Sequence, residues 1–131
     1  MKKSNLRFAA PIIRKLEYLI NPPDSEGENN SINISNAFKV NINKYENKNE
    51  AIVELNIIIG QKESEPSPFY VDMVIGAVFK WDNSYDEETV QNLLSINAPA
   101  LLLGYARPIV ATITNMSPYP SYNLPFYNFT E

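Results

Sequence analysis

The stretch Asn97 to Thr114, N-A-P-A-L-L-L-G-Y-A-R-P-I-V-A-T-I-T, decides how this chain folds. It reads as a helix that is apolar nearly all round and carries one charge, Arg107. Such a helix must be buried on more than one side. In a chain of 131 residues a single core is too small to cover it. The stretch therefore predicts an oligomer. Leu102, Ala106, Ile109 and Ile113 form one stripe at helical spacing, and Leu101, Leu103, Tyr105 and Val110 widen it. The candidate subunit interface is Leu101, Leu102, Tyr105, Ala106, Ile109, Val110 and Ile113. Asn97 stands as its cap and Pro99 falls in its first turn, where a missing N–H is tolerated. Pro108 predicts a kink, and Gly104 adds local weakness. Arg107 reads as structural, a cation that snorkels or pairs with a carboxylate or carbonyl.

Upstream, the period is two. Leu6 to about Ile20 predicts a first strand, with Leu6, Phe8, Ile12, Leu16, Tyr18 and Ile20 on one parity. Pro11 places it at an edge or a bulge. Asn21 to Asn30 is a loop too long for a tight hairpin, suited to crossing one end of a sheet. Three strands follow, at Ile32 to Tyr45, Glu50 to Gln61 and Phe69 to Trp81, as a meander. Then the period lengthens. Ser84-Tyr85-Asp86-Glu87 fits a capping box for a short helix from Tyr85 to about Ser95. Strands followed by helices argue an α+β fold. The expected architecture is a four-stranded antiparallel sheet over residues 6–81 and a helical segment over 85–115 on one face. An aromatic, Pro-rich tail over 116–131 completes a single domain.

Composition excludes more than it selects. There is no Cys and no His. That removes thiol nucleophiles, Ser-His triads, imidazole bases and the common zinc sites. No catalytic residue, metal site or cofactor is assigned, and the chain reads as a non-enzyme. The acidic group Asp82, Asp86, Glu87 and Glu88 fits a helix dipole, not a calcium loop. Net charge is −4, which disfavours nucleic acid. The apolar stretch is short for a membrane span and holds Arg107 and Pro108, so the chain reads as soluble and cytoplasmic.

The order Asn97, Pro99, Leu102, Tyr105-Ala106-Arg107, Ile109, then Leu124-Pro125 and Asn128-Phe129 resembles the signature of the SecB family of protein-export chaperones. Ala77-Val78-Phe79 stands for the strand that ends in a Phe-containing segment, and the specific similarity runs from about Phe69 to Phe129. The resemblance implies a long crossover between strands one and two and a dimer of dimers, a homotetramer, with the long helices sandwiched between sheets. It also implies a function: holding unfolded or precursor polypeptides, for export or for a single partner such as an antitoxin. A scaffold with the same fold and no holding activity is the third reading.

A holdase needs exposed apolar ground, and aromatic side chains suit it because they bury much area. The client-binding candidates are Phe38, Val40 and Ile42 on the second strand and Tyr119, Tyr122, Leu124, Phe126 and Phe129 in the tail. The family docks its motor, SecA, through acidic side chains on the outer sheet face. Asp72 matches such a position, while Lys15 and Leu19 stand at the matching positions on the first strand. Export members carry a further helix and acidic tail after Asn128-Phe129. This sequence stops at Glu131, which favours the holding role over motor docking.

Overall fold

A computed structural model describes residues 6–21, 34–62 and 67–130. Five strands form one antiparallel sheet: β1 (Arg7–Phe8), β2 (Ile12–Ile20), β3 (Asn36–Lys44), β4 (Glu50–Ile59) and β5 (Phe69–Lys80). β3, β4 and β5 are the expected meander, paired in sequence order. β1 and β2 both pair with β5 and share one edge of the sheet. β3 forms the other edge, so the β2–β3 connection joins opposite edges, as the crossover reading requires. Ile32 and Asn33, placed in the second strand from the sequence, lie outside the described residues, as do residues 22–30 of the loop.

The predicted first strand is two strands. Pro11 cannot donate to the ladder, and the chain leaves it over Ala9 to Pro11. A bulge then shifts the register between Ile13 and Lys15, leaving Arg14 as the extra residue. That shift corrects the single parity read from the sequence. Ile12 pairs with Gly76 on the outer face, whereas Phe8, Ile13, Leu16, Tyr18 and Ile20 stand opposite the inward-facing Phe79, Ile75, Met73, Val71 and Phe69.

On the central strands the alternation is strict. Ala51, Val53, Leu55, Ile57 and Ile59 of β4 are fully buried, as are Phe69, Val71, Met73 and Phe79 of β5. Each such side chain stabilises the fold by roughly 1.5–3 kcal/mol relative to exposure. Asn47 takes a positive φ of 62° in the β3–β4 turn, and Gly60 takes 77° where β4 ends.

Helix α1 (Glu87–Asn92), one π turn (Leu93–Asn97) and helix α2 (Ala98–Thr114) run on without a break. Two cap assignments need correcting. The N-cap of α1 is Asp86, not Ser84: its carboxylate accepts from the Thr89 N–H at 2.7 Å. A carboxylate is as good a cap as a hydroxyl and also faces the positive helix end. Asn97 caps nothing, because it already has helical φ and ψ. Pro99 has no N–H to return to the preceding turn. The turn before it is widened, and the Ala98 N–H reaches the Leu93 carbonyl. α2 continues through Pro108.

α2 lies on β4 and β5, on the inner face. Its fully buried stripe is Leu102, Ala106, Val110 and Thr114, one position round from the sequence-based stripe that ended in Ile109 and Ile113. Thr114 tolerates burial because its hydroxyl donates to the Val110 carbonyl at 2.8 Å and accepts from the Tyr122 N–H at 2.8 Å. The helical run of 28 residues is long and apolar enough to cross a membrane by length and composition. Its buried stripe against the sheet accounts for part of that apolarity, with 39% of the apolar window buried, and the outer flank carries the rest.

Two substitutions check this packing by denaturant unfolding. Leu102→Ala is expected to cost about 2–5 kcal/mol, because the site is closed on all sides. Gly60→Ala is expected to cost more than about 1 kcal/mol: φ is positive, and a Cβ would lie 2.3 Å from the Phe69 carbonyl oxygen.

Candidate polypeptide-binding surface

After α2 the chain turns back along the inner face towards β3. Three anchors set its course. The Tyr119 hydroxyl donates to the Asn21 carbonyl at 2.8 Å. Tyr122 is held by Thr114 and by the Asn36 amide, which donates to its hydroxyl at 2.7 Å. Leu124 is fully buried, and its carbonyl accepts from Arg107 Nε at 2.7 Å.

Two aromatic groups result. At the sheet end Tyr122 meets Phe69 edge-on at 5.9 Å, beside a cleft lined by Ile34, Tyr119 and Pro120. Over β3, Phe38 packs on Tyr127 at 4.7 Å and on Phe129 at 6.3 Å, and Tyr127 and Phe129 lie 4.9 Å apart. Phe126 stands outside this group, 80% exposed, with its ring 3.8 Å from Arg107 Cζ.

The client-binding candidates divide accordingly. Phe126 is exposed, and Phe38, Tyr119, Tyr122 and Phe129 are half-buried with aromatic area still open. Val40 and Ile42 are half-buried on the inner side of β3. Leu124 is a correction: with no exposed surface it is a core residue and cannot touch a client in this conformation. Tyr127 was missed, although it is half-exposed and completes the group over β3. Its place in an aromatic run without regular period was the available signal.

The interface candidates divide too. Leu102, Ala106 and Val110 are fully buried against the protomer's own sheet, which corrects their assignment to a subunit contact. Leu101, Ile109 and Ile113 remain partly open, and Tyr105 is 47% exposed. This outer flank of α2 joins a second apolar area that the sequence reading left out. Phe8 meets Tyr105 edge-on at 6.3 Å, and beyond it Ile13, Leu16 and Ile20 on the same side of β2 are exposed, as are Ile12 and Leu19 on its outer side. β2 pairs only with β5, so its other edge has no strand partner among the described residues.

The outer sheet face is charged but balanced. Cross-strand ion pairs join Arg14 to Glu54 at 3.5 Å, Lys15 to Asp72 at 2.7 Å and Lys80 to Glu50 at 3.6 Å, and Lys62 reaches Glu17 at 2.9 Å. Asp72 is only 9% exposed and also accepts from the Asn56 amide at 2.8 Å. Burial by itself pushes its carboxyl up, but the hydrogen bonds from Lys15 and Asn56 outweigh that and hold it below the ordinary range. Its partner Lys15 is raised for the same reason, the hydrogen bond to Asp72. Asp72 is therefore a tied carboxylate within a neutralised network. Among the described residues no group of three or more acidic side chains is placed to hold a metal ion.

An antiparallel sheet with one long helix and an aromatic tail on a single face is a distinctive α+β class. The chain belongs to the SecB family: the model of that family, "Preprotein translocase subunit SecB", matches residues 19–131. The fold agrees. A Mycobacterium tuberculosis structure, the SecB-like chaperone Rv1957 in complex with a ChAD peptide from the antitoxin HigA1, superposes with a TM-score of 0.75 at 12% identity. The match covers 95% of this chain and 91% of that one. In sequence the chain is similar to the uncharacterised Methanocaldococcus jannaschii protein MJ0357, 27% identical over 128 residues, covering 96% of this chain and 81% of that protein.

The Asp72 network has a pH signature. A carboxyl held below its usual pKa stabilises the fold above the unfolded value near 3.8, and the contribution is lost as pH falls through the folded value. Asp72→Ala is expected to lower stability at pH 7 by about 1–2 kcal/mol. The gap from wild type should close below pH 3.8, as followed by urea unfolding across pH.

Proposed function

We propose that this protein is a chaperone that holds non-native polypeptide chains without covalent chemistry. The observation that carries the reading is the aromatic wall of Phe38, Tyr127 and Phe129, with Phe126 beside it, left open on a rigid sheet edge. Extended client segments would bury aromatic and aliphatic side chains there, each contact contributing roughly 1–3 kcal/mol. Repeating the wall on several subunits multiplies weak contacts into useful avidity. The second apolar area, formed by β2 and the outer flank of α2, is assigned to copies of the same chain in a dimer of dimers. The protein works in the cytoplasm in this account.

Service to a single partner is the favoured refinement over general export. Asp72 is tied to Lys15 and Asn56, so this position offers a motor no free carboxylate. The SecB-like chaperone of similar fold was solved with an antitoxin peptide, which gives a dedicated client a concrete chemical form.

The test is suppression of aggregation for two unrelated unfolding proteins, together with binding of an aromatic-rich peptide. Tyr127→Ser and Phe126→Ser remove exposed area without touching the core. Each should weaken peptide binding by about tenfold, equivalent to ~1.4 kcal/mol. Protection of both proteins supports general holding. Peptide binding without that protection supports the dedicated reading. Wild-type protein that neither protects nor binds contradicts the chaperone proposal.

A further inference from the structure

We infer that Arg107 is the positioning residue of the polypeptide-binding surface: its guanidinium latches the tail so that the aromatic wall stands assembled before a client arrives. The inference rests on the holding function proposed above and assigns a part to a residue that touches neither Phe38 nor the rest of the wall.

Arg107 sits on α2 among apolar neighbours, and none of the described carboxylates pairs with it. A half-buried cation without a counter-ion must be satisfied in another way. Here two neutral groups of the tail do it. Nε donates to the Leu124 carbonyl at 2.7 Å, and Cζ lies 3.8 Å from the Phe126 ring centroid. The first is a charge-assisted hydrogen bond, and the second places a planar cation on an aromatic face. Both partners flank Pro125, so the latch fixes the chain on either side of one stiff residue.

Position along the tail makes this the decisive anchor. Tyr119 and Tyr122 fix its beginning. Beyond Leu124 the tail's hydrogen bonds among the described residues are local, from the Thr130 N–H and hydroxyl to the Asn128 side chain. Tyr127 and Phe129 are thus held downstream of Arg107 by ring contacts and, for Phe129, by apolar packing on the core, and not by hydrogen bonds to the sheet or helix. Releasing the latch leaves that part of the tail to lose its place, at the entropic cost that preorganisation otherwise removes from client binding.

A lysine cannot reproduce the latch, because it has no planar face and no Nε donor near the backbone. In the full-length protein, Arg107→Lys should raise the fast backbone mobility of residues 126–130, read by NMR relaxation as order parameters falling from roughly 0.8 to below roughly 0.6, with the strands and α2 unchanged. Binding of a fluorescein-labelled peptide alternating Phe and Ser should weaken in step. Phe126→Leu keeps the hydrogen bond and should give a smaller rise. Arg107→Ala should behave as Lys does and recover both readouts on adding low-millimolar guanidinium ion, a rescue that a general loss of fold would not show. Unchanged tail order parameters in Arg107→Lys overturn the latch, as does a loosened tail with undiminished peptide binding. Wild-type protein that binds no peptide and protects no unfolding protein overturns the holding function instead, and the relaxation data then decide the latch alone.

Discussion

One-sided burial of an all-round apolar helix is the constraint on which the structure depends. α2 presents Leu102, Ala106, Val110 and Thr114 to β4 and β5, and that contact closes the core. A sheet of this size offers only one inner face, so the opposite flank, with Leu101, Tyr105 and Ile109, stays open. The bulged edge formed by β1 and β2 extends the open area through the Phe8–Tyr105 contact. An exposed strand edge beside exposed aliphatic side chains is a liability in an isolated protomer. The proposed assembly resolves it by covering that ground with like subunits, which keeps it apart from the ground offered to clients.

The tail resolves the other edge. β3 is only half covered by the helices, and the chain returns over it with Leu124 buried and Tyr127 and Phe129 on Phe38. The same segment closes the core and displays aromatic area. Thr114 and Arg107 supply polar anchors for this irregular backbone, at the Tyr122 N–H and the Leu124 carbonyl. The outer sheet face differs from both, carrying cross-strand ion pairs from Arg14, Lys15 and Lys80.

Much of this was legible in the sequence, and the failures have physical causes. The meander of β3, β4 and β5 was legible because apolar and polar residues alternate along the central strands, whose two faces meet different surroundings. The first strand misled because a bulge at Arg14 reverses the parity of Ile12 and Ile13 while the break over Ala9 to Pro11 leaves Phe8 inward, and no residue pattern marks where a bulge falls. The long helix was plain, but its buried stripe was assigned one position out. Hydropathy cannot foresee that a threonine hydroxyl will satisfy itself on Val110 and Tyr122 and go inward in place of Ile113. In the tail, aromatic content announced a surface but could not rank its members. Leu124 and Phe126 lie two residues apart and end as the most buried and the most exposed of the tail, with Arg107 touching both, a difference invisible to composition.

The central claim is that the outer flank of α2 and the β2 edge are covered by other copies of the chain. The mass of the protein in solution, by sedimentation equilibrium or light scattering across a range of concentrations, tests it most directly. The account predicts an assembly of four chains of 14.9 kDa, or a stable pair that forms four as concentration rises. A single chain of that mass at every concentration would contradict it.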